Sequence, residues 1–169
     1  QVFTQGSYNA GLEEGQWVSF YESGSNKDRG SFVNGKMNGL WEGWFPTGQM
    51  KYKGSWNDGI REGEWVFWLE SGKIRERGSY KNSLRDGKWE FYTEYGILES
   101  TGNYSEGTKE GKWIFNYPQG QIKREQSFKN DRPNGSSKLY SERGVVINDC
   151  NFKDGKLDGS YKVYDDKGK

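Results

Sequence analysis

Apolar rings return along this chain at an interval of 24 residues, and the glycine and polar positions between them keep the same beat. Tryptophan stands at Trp17, Trp41, Trp65, Trp89 and Trp113, after which the same position holds Ser137 and Tyr161. A second ring column runs through Tyr8, Phe32, Trp56, Tyr80, Tyr104, Phe128 and Phe152. Glycine opens each Trp segment at Gly15, Gly39, Gly63, Gly87, Gly111, Gly135 and Gly159, and closes it at Gly24, Gly48, Gly72, Gly96, Gly120, Gly144 and Gly168. Two further series, Gly6 to Gly102 and Gly11 to Gly155, bring 24 of the 25 glycines onto this lattice and leave Gly43 off it. Glycine at such density excludes helix, where each one costs ~1 kcal/mol relative to alanine.

Strands fit instead. The run Trp65-Val66-Phe67-Trp68, bounded by Glu62-Gly63 and by Glu70-Ser71-Gly72, is aromatic and β-branched and predicts one strand. The stretch Lys73 to Tyr80 sets Ile74 and Tyr80 in alternation with Arg75 and Arg77 and predicts its partner. Pro46-Thr47-Gly48 and Pro118-Gln119-Gly120 mark a type I turn with a bulge inside the hairpin, whereas Asn34-Gly35, Asp58-Gly59 and Asp154-Gly155 mark the turn between hairpins. The predicted fold is all-β: an elongated single-layer antiparallel sheet, a meander of β-hairpins in an open-ended array. Its units are 6–29, 30–53, 54–77, 78–101, 102–125, 126–149 and 150–169, after a partial unit 1–5 in which Val2 holds the aliphatic slot of Met50 and Ile74. With no linker or change of composition, the array reads as one domain over 1–169. One such unit buries too little to offset the entropy of ordering it, so neighbours complete one another. The strand glycines Gly30, Gly54, Gly78 and Gly102 face the ring columns, and a ring from a neighbouring strand is expected to cover each.

Composition explains what the core is made of. Only 31% of the 169 residues are hydrophobic but 17% are aromatic, so rings supply the buried surface, which argues against disorder. Lysine and arginine number 25 against 24 acids, and a net charge of +1 gives no field to draw nucleic acid. No apolar run approaches the ~20 residues of a transmembrane helix. The chain has no histidine and one cysteine, Cys150, so Ser/His and Cys/His pairs, His/Cys zinc sites and internal disulfides are excluded. No enzyme activity, cofactor or metal is therefore expected. Cys150 occupies a glycine slot and reads as a small residue. The acids Glu14, Glu62, Asp86, Glu110 and Asp158, with Asn38 and Asn134 in their gaps, form a row whose members would lie ~9–10 Å apart. That is too wide to share a Ca²⁺ held at ~2.4 Å, so the row reads as turn chemistry. A first residue that is Gln and not Met leans toward export or the cell envelope, with the cytoplasm as the alternative.

The candidate site lies opposite the Trp column. Alternation places Phe20, Trp44, Trp68, Tyr92, Tyr140 and Tyr164 there, and the strands that follow carry Lys27 and Arg29, Lys51 and Lys53, and Arg75 and Arg77. Rings beside cations suit anchors for a protein or peptide, or rings stacked on a glycan; packing within the sheet with cation–π contact is the local alternative. Of the degenerate sixth and seventh units, Ser137 and Pro133 read as a terminal cap or as an end that a partner completes. Open edges also allow end-to-end self-association.

The spacing of glycine, an aromatic two residues on, glycine three later, glycine four later, Trp two later and glycine seven later resembles the MORN repeat, most closely its bacterial variant with Trp in this slot. The resemblance spans the chain, strongest from Gly6 to Glu125 and broken at Gln126, Asp131 and Ser137. It implies an extended sheet of hairpins that holds proteins or membranes together, that is, a non-catalytic scaffold for protein–protein interaction. A glycan- or envelope-binding module is the alternative, and an antitoxin-like neutralising partner the second.

Overall fold

The computed structural model describes residues 3–165 and 167–169, which fall into two units, Gln1–Leu84 and Arg85–Lys169. Val2, placed above in the aliphatic column, lies outside the described residues. The first unit holds β1 (Thr4–Asn9), β2 (Leu12–Phe20), β3 (Asn26–Val33), β4 (Lys36–Trp44), β5 (Met50–Asn57), β6 (Ile60–Trp68) and β7 (Ile74–Lys81). The second holds β8 (Leu84–Tyr92) from its second residue, then β9 (Leu98–Ser105), β10 (Thr108–Asn116), β11 (Ile122–Lys129), β12 (Arg132–Tyr140), β13 (Val146–Lys153) and β14 (Lys156–Val163). In each unit the strands are antiparallel and hydrogen-bond in chain order, and no helix occurs among the described residues. The all-β meander of hairpins is what the chain forms.

Two turns alternate, as the sequence predicts. Between β3 and β4, Asn34 and Gly35 take φ of 49° and 75°, the type I′ pair whose twist matches the flanking strands. Between β4 and β5, the Gly48 N–H donates to Phe45 O at 2.8 Å and Gly48 takes φ of 86°, a type I turn closed by a bulge. Ser83 and Asp131 stand where the first turn normally has glycine, with φ of 63° and 64°. Each compensates with its side chain: Ser83 Oγ accepts the Arg61 N–H at 2.9 Å, and Asp131 Oδ1 accepts the Lys109 N–H at 2.8 Å.

One boundary differs from the sequence reading. The opening glycine does not end a turn; it lies inside the strand. In β4, Asn38 pairs with Ser31 and Glu42 with Arg29, so Gly30 alone faces Gly39, Leu40 and Trp41. Gly39 takes φ of 71°, a left-handed value that a bulge of this kind requires and that glycine adopts without strain. The surplus backbone lays the Trp41 ring on Gly30, where a Cβ would stand 2.1 Å from Trp41 Cδ2. Trp17 lies likewise on Gly6, Trp65 on Gly54 and Trp113 on Gly102. The covering ring expected over the strand glycines is thus the tryptophan of the next strand. Its Nε1 donates to a main-chain carbonyl, at Ser7, Ser31, Ser55 and Asn103 over 3.1–3.3 Å. The second ring column closes in edge-on: Phe32 meets Trp17 at 5.6 Å and Trp41 at 5.2 Å, and Tyr104 meets Trp113 at 5.1 Å. Trp65, Trp89 and Trp113 are the largest fully buried side chains.

Two departures from the lattice have a packing cause. Gly43 makes room for Tyr52, whose ring would meet a Cβ there at 2.2 Å and which stacks on Trp65 at 6.0 Å. The ring that other repeats carry at Phe67, Phe91 and Phe115 has moved here to the neighbouring strand. Tyr52 Oη donates to Asp28 Oδ1 at 2.6 Å, and burial together with that carboxylate pushes the phenol well above its ordinary 10.0. Further along, Ser137 replaces the tryptophan and Gln126 replaces its glycine, both buried. Gln126 Nε2 donates to Ser127 O at 2.9 Å, the counterpart of the carbonyl that the indoles use, so a carboxamide takes over the hydrogen bond of the missing ring.

The lock makes two glycines differ in their tolerance of one methyl group. Gly54→Ala must displace Trp65 and is expected to cost about 3 kcal/mol, as overpacking of a rigid core does. Gly59→Ala, in a turn with φ of 80° and only Lys36 Cβ within 4 Å, should cost about 1 kcal/mol of backbone strain. Urea unfolding of both variants measures the difference; equal losses would contradict the lock.

Candidate functional site

Each unit presents two sides, one bearing the tryptophans and one opposite. On the opposite side of the first unit the cross-strand row reads Val18, Arg29, Glu42, Lys53, Val66 and Arg77, each paired with the next. Phe20, Trp44, Trp68 and Tyr92 are half-buried. The guanidinium of Arg29 lies 5.3 Å from the Trp44 ring and 2.6 Å from Glu42, whose other oxygen takes Lys53 at 3.1 Å. The hydrogen bond from Arg29, with help from Lys53, lowers the Glu42 carboxyl below its usual 4.5 against the opposing effect of burial. Tyr92 Oη donates to Glu90 at 2.8 Å, and Lys88 pairs with the same carboxylate. In the second unit Lys112 holds Glu125 at 2.6 Å, Tyr140 donates to it at 3.1 Å, and its carboxyl is lowered in the same way, Lys112 first. A ring lies beside a cation at Trp44 and Arg29, and acids absent from the sequence reading share the charge there.

The remaining candidates are dispersed by a second bulge. Glu76 pairs with Phe67 and Ile74 with Trp68, so Arg75 is the extra residue between them. Its guanidinium lies 5.5 Å from the Phe67 ring and 2.9 Å from Glu76 rather than beside Trp68. Lys51 is the extra residue of the equivalent bulge and lies 5.7 Å from Phe45 in the turn. Of the paired cations, Lys53 and Arg77 share the side of Trp44 and Trp68, whereas Lys51 and Arg75 do not join them.

The Trp-bearing side holds a cation column that sequence reasoning missed. Arg61 lies 5.3, 4.9 and 5.3 Å from Trp56, Trp65 and Tyr80. Arg85 lies 4.4, 5.1 and 5.5 Å from Trp89, Phe91 and Tyr104, and Lys109 lies 4.7, 5.8 and 5.3 Å from Trp113, Phe115 and Phe128. Each cation fills the trough between the ring columns, where desolvated cation–π contact is at its strongest. The signal was present, since all three stand two residues before the opening glycine; taking that glycine as a strand end hid it. Trp56 Nε1, beneath this packing, has no hydrogen-bond partner.

In the last repeats the column ends: its next positions are Pro133 and Leu157. There the Trp-bearing side of the second unit is indented. A depression of about 280 Å³ lies among Phe115, Arg124, Phe128 and Pro133. An adjoining one of about 240 Å³ is lined by Arg124, Ser137, Leu139, Cys150, Phe152 and Tyr161. Arg124 and Tyr161 are exposed. The acid row serves the turns: Glu14, Glu62 and Glu110 accept the N–H of Asn34, Asn82 and Asn130 at 2.9, 3.1 and 3.2 Å. Among the described residues no group of acids, cysteine or histidine is arranged to hold a metal ion, and no helix is long and apolar enough to cross a membrane.

Residues 37–58, 61–82 and 109–130 match the family model described as the MORN repeat variant, and their starts are separated by 24 and 48 residues, in step with the repeat. No curated protein matches the chain.

The paired acids give a pH signature. A carboxyl lowered by folding adds stability that is complete above its unfolded value near 4.5 and is lost as pH falls through the folded value. The unfolding midpoint is expected to drop as pH falls below about 4.5. The double variant Glu42→Gln/Glu125→Gln, weaker at pH 7, should show a shallower drop across that window in thermal unfolding.

Proposed function

We propose, from the MORN-variant repeats this chain carries, that it is a non-catalytic scaffold holding a protein partner against the Trp-bearing side of its second unit. The observation that carries the reading is the end of the cation column. Through Arg61, Arg85 and Lys109 the chain fills its own trough, whereas from Pro133 onward it supplies no cation to do so. Partly apolar hollows with an arginine at the rim have the make-up of interface anchor sites, where aromatic and arginine contacts dominate binding. The opposite side, with Phe20, Trp44, Trp68 and Tyr92, is the weaker candidate, because Arg29 and Lys53 already share Glu42. A charge neutralised within the sheet has less to offer a partner.

Crosslinking from a photoreactive residue placed at Tyr161 or at Trp68, in cells that make the protein, compares the sides directly. Protein adducts are expected from position 161. Arg124→Glu in the chain that carries the crosslinker at 161 should remove them with the thermal midpoint held, whereas Trp44→Ala/Trp68→Ala should spare them. Adducts from position 68 alone would move the interface to the opposite side, and retention on polysaccharide without protein adducts would favour the glycan reading.

A further inference from the structure

The depression around Ser137 opens where an indole is missing and the smaller Gln126 side chain takes only part of its place. In the repeats at Trp17, Trp41, Trp65 and Trp113 an indole crosses onto the strand before it and donates to a carbonyl there. At Ser137 the side chain stops at its hydroxyl, and Gln126 satisfies the carbonyl in the indole's stead. What remains is about 240 Å³ of open space, more than the ~150 Å³ cavity that admits benzene. Its walls are the apolar Leu139, Phe152 and Tyr161, and Ser137 and Asn148 add polar atoms.

Charge selects among aromatic occupants. Arg124 pairs in register with Phe115 and Leu139, which sets it on the Trp-bearing side at the rim. Its counterparts at 24-residue steps are Thr4, Asp28, Tyr52, Glu76, Ser100 and Asn148, so Arg124 is the one cation in its column. No carboxylate lines the depression. The nearby acids are engaged elsewhere, Glu125 by Lys112 and Asp149 by Lys138 at 3.8 Å.

We propose that this depression receives an aromatic side chain flanked by carboxylates, presented by an acidic segment of a protein partner, with the ring among Leu139, Phe152 and Tyr161 beside Gln126 and a carboxylate on Arg124. The inference rests on the scaffold reading above and names the chemistry of the partner at that site. An arginine held at the rim of an apolar hollow favours a carboxylate through a charge-assisted, two-pronged hydrogen bond.

The test uses the whole chain and a synthetic peptide with one tryptophan between two acidic residues on each side, followed by amide shifts in NMR. Saturable shifts are expected at residues 124–161. Replacing the acids by their amides, or Arg124→Ala, should weaken binding about tenfold, the loss of one charge-assisted contact. The pair Gln126→Gly/Ser137→Trp restores the array's own lock; it should fold with an unchanged or higher thermal midpoint and no longer bind. Absence of saturable shifts, shifts confined to other residues, equal binding of the amidated peptide, or full binding by the lock-restoring pair would each overturn the proposal. So would N-acetyltryptophan binding as tightly as the peptide, which would make the occupant a small aromatic acid. If the peptide fails while crosslinks from position 161 persist, this inference falls and the scaffold reading stands.

Discussion

An indole laid flat on a strand that has no β-carbon is the contact around which each repeat is built. For the ring to reach that strand, its own strand must carry surplus backbone just before it. The bulge at Gly39 and its counterparts supplies this, at a left-handed φ that costs other residues roughly 1–2 kcal/mol. For the ring to come within van der Waals distance of the main chain, the facing residue must be Gly30, Gly54 or Gly102. Two glycines and one tryptophan therefore act as a single device. The indole N–H on a strand carbonyl fixes the ring's angle, and the edge-on rings of the second column fill the spaces between. Because each device joins two hairpins, no hairpin is complete alone, and order spreads from neighbour to neighbour.

Charge is distributed according to what the device leaves open. Each unit has a trough between its ring columns, filled by Arg61 in the first and by Arg85 and Lys109 in the second, with three rings around each. On the opposite side cations and acids alternate across strands and satisfy one another, as Arg29, Glu42 and Lys53 do. A chain with nearly equal numbers of both signs thus engages a share of its charge in internal pairs and stacks. Places where the pattern lapses stand out as candidates for contact with other molecules.

The lapses are of two kinds. At Gly43 and Tyr52 a ring has changed strands and the packing closes again, so that departure is a local repair. At Gln126 and Ser137 the hydrogen bond of the missing indole is restored but its volume only in part. The first kind is neutral for function; the second leaves a shaped hollow beside an exposed arginine, which is why the proposed contact falls there.

By itself the sequence determined the all-β class, the hairpin period, both turn types and the pairing of rings with strand glycines. Each of these depends on residues close in the chain or on a strict repeat: a Gly in a turn or a Trp every 24 residues means the same thing wherever it stands. The turn role of Glu14, Glu62 and Glu110 was legible for the same reason. Only the tertiary structure decided which side a cation occupies. Period-two alternation assumes an unbroken ladder, and each hairpin breaks it twice, at the opening glycine and at the residue equivalent to Lys51 or Arg75. The two surplus residues at the opening glycine keep the alternation in step, but beyond the single extra residue of the second bulge the side assigned by counting no longer holds. Arg75 thereby came to Phe67 rather than Trp68, while Arg61, Arg85 and Lys109, in step with the rings they lie on, are joined to them only because the strand continues through the opening glycine.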